Sequence, residues 1–409
     1  MDSCVATLNA CKLTGSSLKR ESKLYPHNQP RDYETAFDAD TLWYDAIQTA
    51  DQLHLICPKL NNLTSSIRSA RWWVDGMPVY LRSIRFYHRY DILKFQVLPR
   101  QAQCITVKIG SWVSQCNISQ SQSQTFSGLN AVVTMQKNNE LDWILDFINF
   151  YIHNHQLESM ILIDNNSTLY KLQDLYDICY QTNLKAMIII SAPFKYGPHV
   201  PELKNAVYEE QYLQCALLNI TRLRYLSKAR AVLNCDIDEL AYTPKTTIFD
   251  LAKNNLLGFV ALPCFYRYSN PIDHNSTRQA AHRFKKPSAL RKLGVWVKWC
   301  IIPQGPTRWF SFCWEIHWLS FQDFGNSLIF RFFSYHFINR IINYIFKYIG
   351  LKFYKNYKFF HCFSTSTGWK EHRRSPPPRS EVVLDPEWSA VLDATFYPSD
   401  HSTSSYHLF

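Results

Sequence analysis

Residues 131–164, AVVTMQKNNELDWILDFINFYIHNHQLESMILID, predict a strand, a helix and a second strand in direct succession. Residues 131–135 and 160–163 are short runs that are apolar except for Thr134. Between them, apolar side chains recur at the three- and four-residue spacing of a helix that packs one face on a core. These side chains are Leu141, Ile144, Leu145, Ile148, Tyr151 and Ile152. Because the strands do not alternate between apolar and polar residues, we expect helices on both faces of the sheet.

The same alternation continues downstream. The pattern predicts a helix over residues 169–181, a strand over 186–190, a helix over 207–226 and a strand over 231–235. Strand and helix thus alternate four times, which is typical of an α/β fold with a mostly parallel sheet.

The rest of the chain divides by composition. Residues 1–35 are polar and predict a mobile N-terminus, and residues 36–113 are rich in β-forming residues and predict a small β-rich region. Residues 114–128 form a Ser/Gln-rich segment that predicts a linker. We expect the α/β domain to occupy residues 129–365 and a poorly ordered tail to occupy residues 366–409.

Polar side chains follow three of the four predicted strands, in residues 137–140, 164–167 and 236–239. In open α/β sheets, ligands bind beyond the carboxyl ends of the strands. Asp236, Asp238 and Glu239 would repel one another unless a positive group lies among them. A solvated strand end is the ordinary explanation for such a cluster, but the convergence of three polar segments on one edge favours a functional site.

The spacing of these acids limits their chemistry. Carboxylates one residue apart on an extended chain point to opposite sides. One of Asp236 and Asp238 can therefore hold a hard divalent cation, while the other reaches a sugar or a metal-bound water. Oxygen ligands suit Mg²⁺ or Mn²⁺. The sequence contains neither GxGxxG nor GxxxxGK[ST], so we expect a metal ion rather than a Gly-rich loop to hold a diphosphate.

Four segments occur in order between residues 130 and 320: QKNNELDWILDFINFYIHNHQ, LIDNNS, CDIDE and KWCIIP, the last followed by His317. Together they resemble the motifs of GT-A-fold glycosyltransferases, in particular the family 2-like and family 92 glycosyltransferases. CDIDE is similar to their Asp-x-Asp motif. The first turn has one residue more than the family pattern, so either Asn138 or Asn139 is the matching position.

The resemblance implies a GT-A-like domain and a set of site residues. It implies that Asp236, Asp238 and His317 bind Mn²⁺ or Mg²⁺. Glu315, two residues before His317, is a candidate general base by its position. The residues that it implies for the nucleotide sugar are Lys137, Asn138, Glu140, Asp164, Asn165, Asn166, Asp236 and Lys298. By composition alone, His317 could equally be a core histidine, Glu315 a surface acid and Lys298 an exposed lysine.

The implied function is metal-dependent transfer of a sugar from a nucleoside-diphosphate sugar to a hydroxyl of a glycan or lipid-linked acceptor, with inversion at C1. Two alternatives remain open. The net charge of +11 and the 15% aromatic content also suit a nucleic-acid-binding protein, although edge carboxylates would repel phosphate. A non-catalytic relative that binds the same ligands is the second alternative.

The sequence also bears on location. The 12 cysteines form no CxxC pair, which favours buried thiols in a reducing compartment over zinc ligands or disulfides. The N-terminus lacks an apolar core of signal-peptide length, and no uncharged apolar run spans a bilayer. Residues 336–358 predict a basic amphipathic helix, which either packs on its own domain or lies on an anionic membrane. We therefore expect a cytoplasmic protein, peripheral to the membrane if that helix binds lipid.

Overall fold

The computed structural model describes residues 2–97, 100–198, 210–269, 277–287, 297–310, 313–317, 319–320, 357–363, 365 and 377–398. In this part of the chain the fold is mixed α/β, with a large mixed sheet, several smaller sheets and seven α-helices. The predicted amphipathic helix over residues 336–358 lies almost wholly outside the described residues. Within them, no helix is both long and apolar enough to cross a membrane.

The elements before residue 129 are mostly short strands. They are β1 (Asp2–Ala6), β2 (Cys11–Lys12), α1 (Tyr33–Ala36), β3 (Thr41–Trp43), β4 (Asp45–Thr49), β5 (Gln52–Cys57), α2 (Thr64–Ser69), β6 (Arg71–Val74), β7 (Met77–Val79), β8 (Leu81–Phe86), β9 (Asp91–Gln96), β10 (Cys104–Ile109), β11 (Trp112–Asn117) and β12 (Ser119–Gln120).

The elements after residue 129 alternate strand and helix at first. They are β13 (Asn130–Gln136), α3 (Leu141–His155), β14 (Ser159–Asp164), α4 (Leu172–Tyr180), β15 (Ala186–Ser191), α5 (Leu213–Arg224), β16 (Ala231–Asn234), β17 (Glu239–Tyr242), α6 (Ile248–Lys253), β18 (Phe259–Arg267), β19 (Phe284–Lys285), β20 (Val297–Ile301), β21 (Cys313–Trp314), β22 (Leu319–Ser320), β23 (Lys358–Cys362), β24 (Val383–Leu384) and α7 (Pro386–Phe396).

The large sheet has nine strands in the order β1-β15-β14-β13-β16-β20-β18-β23-β17. The first five are parallel to one another. From β16 onward the pairing becomes antiparallel through β20 and β18, then parallel at β23 and antiparallel again at β17. The predicted parallel sheet is thus one half of a mixed sheet. Its carboxyl edge gathers the segments that follow β13, β14, β15 and β16.

Alternate residues of the central strands enter two separate cores, as the predicted double-sided sheet requires. Val133 joins the core that contains Ala216 on α5. Its neighbour Val132 joins the other core, which contains Ile148 on α3. Each fully buried Val or Ile stabilises the fold by about 1.5–3 kcal/mol. These two helices therefore fix the central strands from opposite faces.

The β-rich region forms its own core. The sheet β12-β4-β5-β9-β8 and the sheet β11-β10-β6-β7 pack around Trp43, Trp72 and Phe95, all nearly inaccessible to solvent. The ring centres of Trp72 and Phe95 lie 5.0 Å apart. This region therefore has a packed interior of its own beside the large sheet.

Two terminal segments differ from the sequence-based expectation. β1, predicted as mobile, pairs in parallel with β15 over five residues and forms an edge of the large sheet. In the predicted tail, α7 buries Trp388, whose indole N–H donates to the carbonyl of His282 at 3.0 Å. In both cases tertiary contacts, which composition does not reveal, hold a polar segment in place.

The predicted linker also differs in part. Residues 114–117 complete β11, which pairs with β10 in a hairpin, and β12 pairs with β4. Backbone groups make the hydrogen bonds between these strands. The Ser and Gln side chains that suggested a linker therefore do not prevent strand pairing. Only residues 121–128 form the turns that connect the two regions.

Candidate active site

A cavity of about 630 Å³ lies at the carboxyl ends of β13, β14, β15 and β16. Its size is that of pockets that hold small organic ligands. Its walls come from the segments after these strands and from residues near α1. The charged side chains that line it are Asp32, Lys137, Lys195, Asp236 and Asp238. Residues from all three polar segments noted in the sequence thus line one cavity.

The two asparagines of the first turn, residues 137–140, have different roles. Asn138 adopts a left-handed backbone conformation, with φ of 55°. Its side-chain oxygen accepts the backbone N–H of Thr168 at 2.7 Å, which ties the first turn to the second. Asn139 instead lines the cavity beside Lys137, while Glu140 is the exposed residue preceding α3. Asn139 is therefore the asparagine of this turn that can contact a ligand.

The second turn, residues 164–167, is held by its own aspartate. The buried carboxylate of Asp164 accepts hydrogen bonds from the side chain of Gln136 and from the hydroxyl of Ser167, the latter at 2.6 Å. Asn165 donates to the carbonyl of Ala192 at 2.7 Å. Asp164 thus shapes the turn, whereas Asn165 and Asn166 reach the cavity wall.

A third turn, which sequence reasoning missed, supplies residues 193–197 to the cavity. The ammonium of Lys195 donates to the carbonyl of Glu34 at 3.0 Å, which joins this turn to α1. The hydroxyl of Tyr196 donates to the side chain of Gln214 on α5 at 2.8 Å. The available signal was a lysine between two aromatic residues, bounded by Pro193 and Gly197, directly after a predicted strand.

Two acids of the triplet contact a buried lysine. β20 pairs with β16 so that Trp299 lies opposite Asn234, which brings Lys298 beside the residues that follow β16. The ammonium of Lys298 lies 2.8 Å from Asp236 Oδ2 and 3.1 Å from Glu239 Oε2. Its side chain is fully inaccessible to solvent. The positive group that the triplet requires is therefore part of the chain itself.

The charges of this cluster depend on one another. Burial alone would lower the pKa of Lys298, but the carboxylates of Asp236 and Glu239 outweigh it and hold that pKa well above its ordinary value. Burial raises the pKa of Glu239, and Lys298 opposes this effect. The two carboxylates therefore hold Lys298 in its charged form, while Lys298 reduces but does not cancel the rise in the pKa of Glu239.

A histidine from a distant strand completes the cluster. β23 pairs with β17 so that His361 lies directly opposite Glu239. His361 Nε2 lies 3.1 Å from Asp238 Oδ2, and its Nδ1 lies 3.5 Å from Glu239 Oε1. One ligand atom from each of the three residues lies within 4.8 Å of the others. Two carboxylates and one imidazole form a donor set that fits Mn²⁺, and less well Mg²⁺, which prefers oxygen ligands alone.

His317, predicted as a metal ligand, lies near this cluster but outside that group of three. Its Nδ1 lies 3.0 Å from the carbonyl of Val297. Burial, with a smaller contribution from Lys298, lowers the pKa of His317 to about 3. The ring is therefore neutral, and a proton on Nδ1 makes Nε2 the basic nitrogen.

Glu315, the predicted general base, is buried on the α5 side of the sheet. Its carboxylate accepts the thiol of Cys215 at 3.0 Å, and its backbone carbonyl accepts the indole N–H of Trp299. Neither Glu315 nor Lys298 belongs to the cavity lining. The structure thus brings Lys137, Asn165, Asn166, Asp236 and Asp238 together in the cavity.

No protein-family model matches the sequence, and no curated protein matches it at a significant level. Several solved glycosyltransferase structures align with part of the chain. TarS of S. aureus is 19% identical, with 35% of this chain and 22% of that chain covered and a TM-score of 0.23. GalNAc-T7 with UDP, GalNAc and Mn²⁺ is 12% identical, with 35% of this chain and 24% of that chain covered and a TM-score of 0.24. The galactosyltransferase LgtC is 11% identical, with 44% of this chain and 59% of that chain covered and a TM-score of 0.24.

The chain spans less than two thirds of the length of each of these three proteins. Their TM-scores are too low to establish a shared fold. The proposal below therefore rests on the geometry of the cavity and of the carboxylate cluster, together with the sequence motifs.

Proposed function

We propose that this protein is a metal-dependent glycosyltransferase that moves a sugar from a nucleoside-diphosphate sugar to a hydroxyl group of an acceptor. The observation that carries the proposal is the cavity at the carboxyl edge of four parallel strands, where Asp236 and Asp238 face Lys137 and Lys195. A nucleotide sugar needs this combination, because its diphosphate is anionic and its hydroxyl groups donate hydrogen bonds. The motifs that resemble GT-A glycosyltransferases place the same aspartates in the site.

The cavity walls suggest how the donor would lie. Lys137 and Lys195 offer cations to the diphosphate, since charge-assisted bonds to phosphate are among the stronger polar contacts. Asp236 is the more accessible acid, with about a third of its side chain exposed, and its carboxylate can accept from ribose or sugar hydroxyls. The rings of Phe194 and Tyr196 supply apolar surface against which a base or sugar can pack.

The metal would be held by Asp238, with Glu239 and His361 as the further ligands that the cluster offers. A divalent cation there would offset the negative charge that develops on a leaving diphosphate. Asp238 both belongs to this cluster and lines the cavity. Asp238 is therefore shared by the proposed cation site and the proposed donor site.

The finer points of the reaction follow from the resemblance. We propose a glycan or lipid-linked acceptor and inversion at C1, which requires a base on the acceptor side. Because the carboxylate of Glu315 faces Cys215 rather than the cavity, we propose no catalytic role for it. The anomeric configuration of the product, read by proton NMR, tests inversion.

A thermal-shift panel of nucleoside diphosphates and nucleotide sugars, with and without Mn²⁺, tests the proposal. At least one nucleotide should raise the melting temperature more with Mn²⁺ than the nucleotide or Mn²⁺ does alone. Slow hydrolysis of the stabilising donor would separate an enzyme from a non-catalytic binding protein. No stabilisation by any nucleotide, together with salt-dependent binding of single-stranded nucleic acid, would favour the nucleic-acid alternative.

A further inference from the structure

Lys298 carries a full positive charge inside the carboxylate cluster without reaching the cavity. Its ammonium contacts Asp236 at 2.8 Å and Glu239 at 3.1 Å, and solvent does not reach its side chain. The sequence suggested that this lysine binds a phosphate of the donor. A fully buried ammonium that two carboxylates already hold is poorly placed for that role.

The charges of the cluster determine what else it can hold. Asp236, Asp238 and Glu239 carry three negative charges, and Lys298 returns one positive charge. The net formal charge of these four side chains is minus two. One divalent cation neutralises the cluster, whereas a second would leave a buried excess of positive charge, which costs free energy unless it is paired.

Lys298 also competes with the metal for the same oxygens. Glu239 Oε2 already accepts from Lys298 and from the backbone N–H of Asp236 at 2.9 Å. Its other oxygen, Oε1, faces His361 at 3.5 Å. One oxygen of Asp236 is likewise committed to the ammonium. In the group that could hold a cation, Asp238, Glu239 and His361, the lysine thus occupies one of the two oxygens of Glu239.

We propose that Lys298 is a positioning residue that acts as a built-in cation, limiting the cluster to one weakly held divalent ion and orienting Asp236 toward the cavity. This inference rests on the proposed metal-dependent function and goes beyond it. Weak binding suits a site where the cation must leave or rearrange with the diphosphate after each turnover. The inference assigns the lysine a role in metal affinity and in the number of ions bound, rather than in contact with the donor.

The test measures Mn²⁺ affinity and stoichiometry on the full chain by electron paramagnetic resonance of free Mn²⁺. The parent should bind one ion. Lys298→Met should bind Mn²⁺ about tenfold more tightly or more, because one repulsive charge is removed from a poorly solvated site. Lys298→Arg keeps the charge and should behave as the parent.

Two further variants keep the test decisive if Lys298→Met folds poorly. Asp236→Asn removes one negative charge and should weaken Mn²⁺ binding. Adding Lys298→Met to Asp236→Asn restores the net charge of the parent cluster, so affinity should rise again by about the same factor. In the second pair, removal of the lysine leaves only Glu239, rather than both Asp236 and Glu239, without its ammonium partner.

The outcomes separate this inference from the function on which it rests. If the parent binds no Mn²⁺, the metal-dependent function itself fails. If the parent binds one ion but affinity is the same with and without the lysine in the Asp236→Asn background, Lys298 is purely structural and the inference is wrong. Binding of two ions by the parent would also overturn it.

Discussion

His361 Nε2 lies 3.1 Å from Asp238 Oδ2, although more than a hundred residues separate the two in the chain. The antiparallel pairing of β17 with β23 fixes this contact by placing His361 opposite Glu239. β23, which comes late in the chain, thus contacts the acidic segment after β16. The metal site that we propose depends on this pairing as much as on the Asp-x-Asp sequence.

Asp238→Asn tests the central ligand. The variant should lose at least about tenfold in Mn²⁺ affinity, because a neutral amide is a much weaker ligand than a carboxylate. The melting temperature without metal should change little, since Asn has the same shape and the backbone carbonyl of Asp238 still accepts from Cys362 at 2.7 Å. Isothermal titration with Mn²⁺ and a thermal melt measure the two effects.

Asp142→Asn is the matched control, because Asp142 is an exposed acid on α3 whose ion pair with Arg278 spans 3.5 Å. It removes the same charge outside the cavity and should leave Mn²⁺ affinity unchanged. Equal effects of the two substitutions would show that affinity follows net charge rather than a specific ligand.

His361→Gln and His317→Gln distinguish the two candidate histidines. We expect the first to weaken Mn²⁺ binding by about tenfold or more, a change typical of altered metal surroundings. The second should mainly lower the melting temperature, because Nδ1 of the half-buried His317 bonds to the carbonyl of Val297. Loss of affinity in His317→Gln alone would restore the ligand set that the sequence suggested.

Lys195→Met and Lys137→Met test the diphosphate contacts. Each should weaken nucleoside-diphosphate binding by about tenfold, which corresponds to about 1.4 kcal/mol, the size of a single charge-assisted contact. Mn²⁺ affinity without nucleotide should rise slightly or stay the same. Binding of a fluorescent nucleotide analogue, followed by competition, gives both constants.

Lys185→Met is the control for the lysine variants. Lys185 precedes β15 at the opposite edge of the sheet, is mostly exposed and pairs with Glu158 at 2.7 Å. Its removal should leave nucleotide affinity unchanged. If all three variants lose affinity equally, general electrostatic attraction rather than the cavity accounts for binding.

The sequence predicted the alternating core well because burial on both faces leaves a strong local signal. The helix predicted after the first strand begins at Leu141 and ends at His155, and the strands match within one residue at each end. Apolar periodicity shows which face of an element is buried, so it is readable without knowing which partner covers that face. The short edge strand β1 lacks that signal, because its place depends on β15.

Site residues were predictable only where polar side chains directly follow a predicted strand. Asp236 and Asp238 follow an apolar strand, so their place at the sheet edge could be foreseen. His361 could not, because its role depends on the register of β23 against β17. The contacts of Lys298 with Asp236 and Glu239 could not be predicted either. A lysine in a sequence does not reveal whether it faces a ligand or two carboxylates of the chain.

Histidines whose pKa is lowered on folding should make the protein sensitive to mild acid. Burial lowers the pKa of His54 to about 3, of His155 to about 4 and of His317 to about 3. Each folded-state pKa is below the ordinary unfolded value of about 6.5, so the unfolded chain binds protons that the folded chain does not. Their contribution to stability is present above that unfolded value and is lost as the pH falls toward the folded pKa.

His155 offers the cleanest measurement of this effect. One ring nitrogen lies 2.9 Å from the carbonyl of Ala241, and the other accepts the backbone N–H of Ile248 at 3.3 Å. From pH 7 to pH 5, one such histidine should cost the folded state about 2 kcal/mol in the free energy of unfolding. His155→Gln should be less stable than the parent at pH 7 but lose about 2 kcal/mol less over that interval. Urea unfolding at both pH values measures the difference, and parallel losses in parent and variant would show that His155 is already charged when folded.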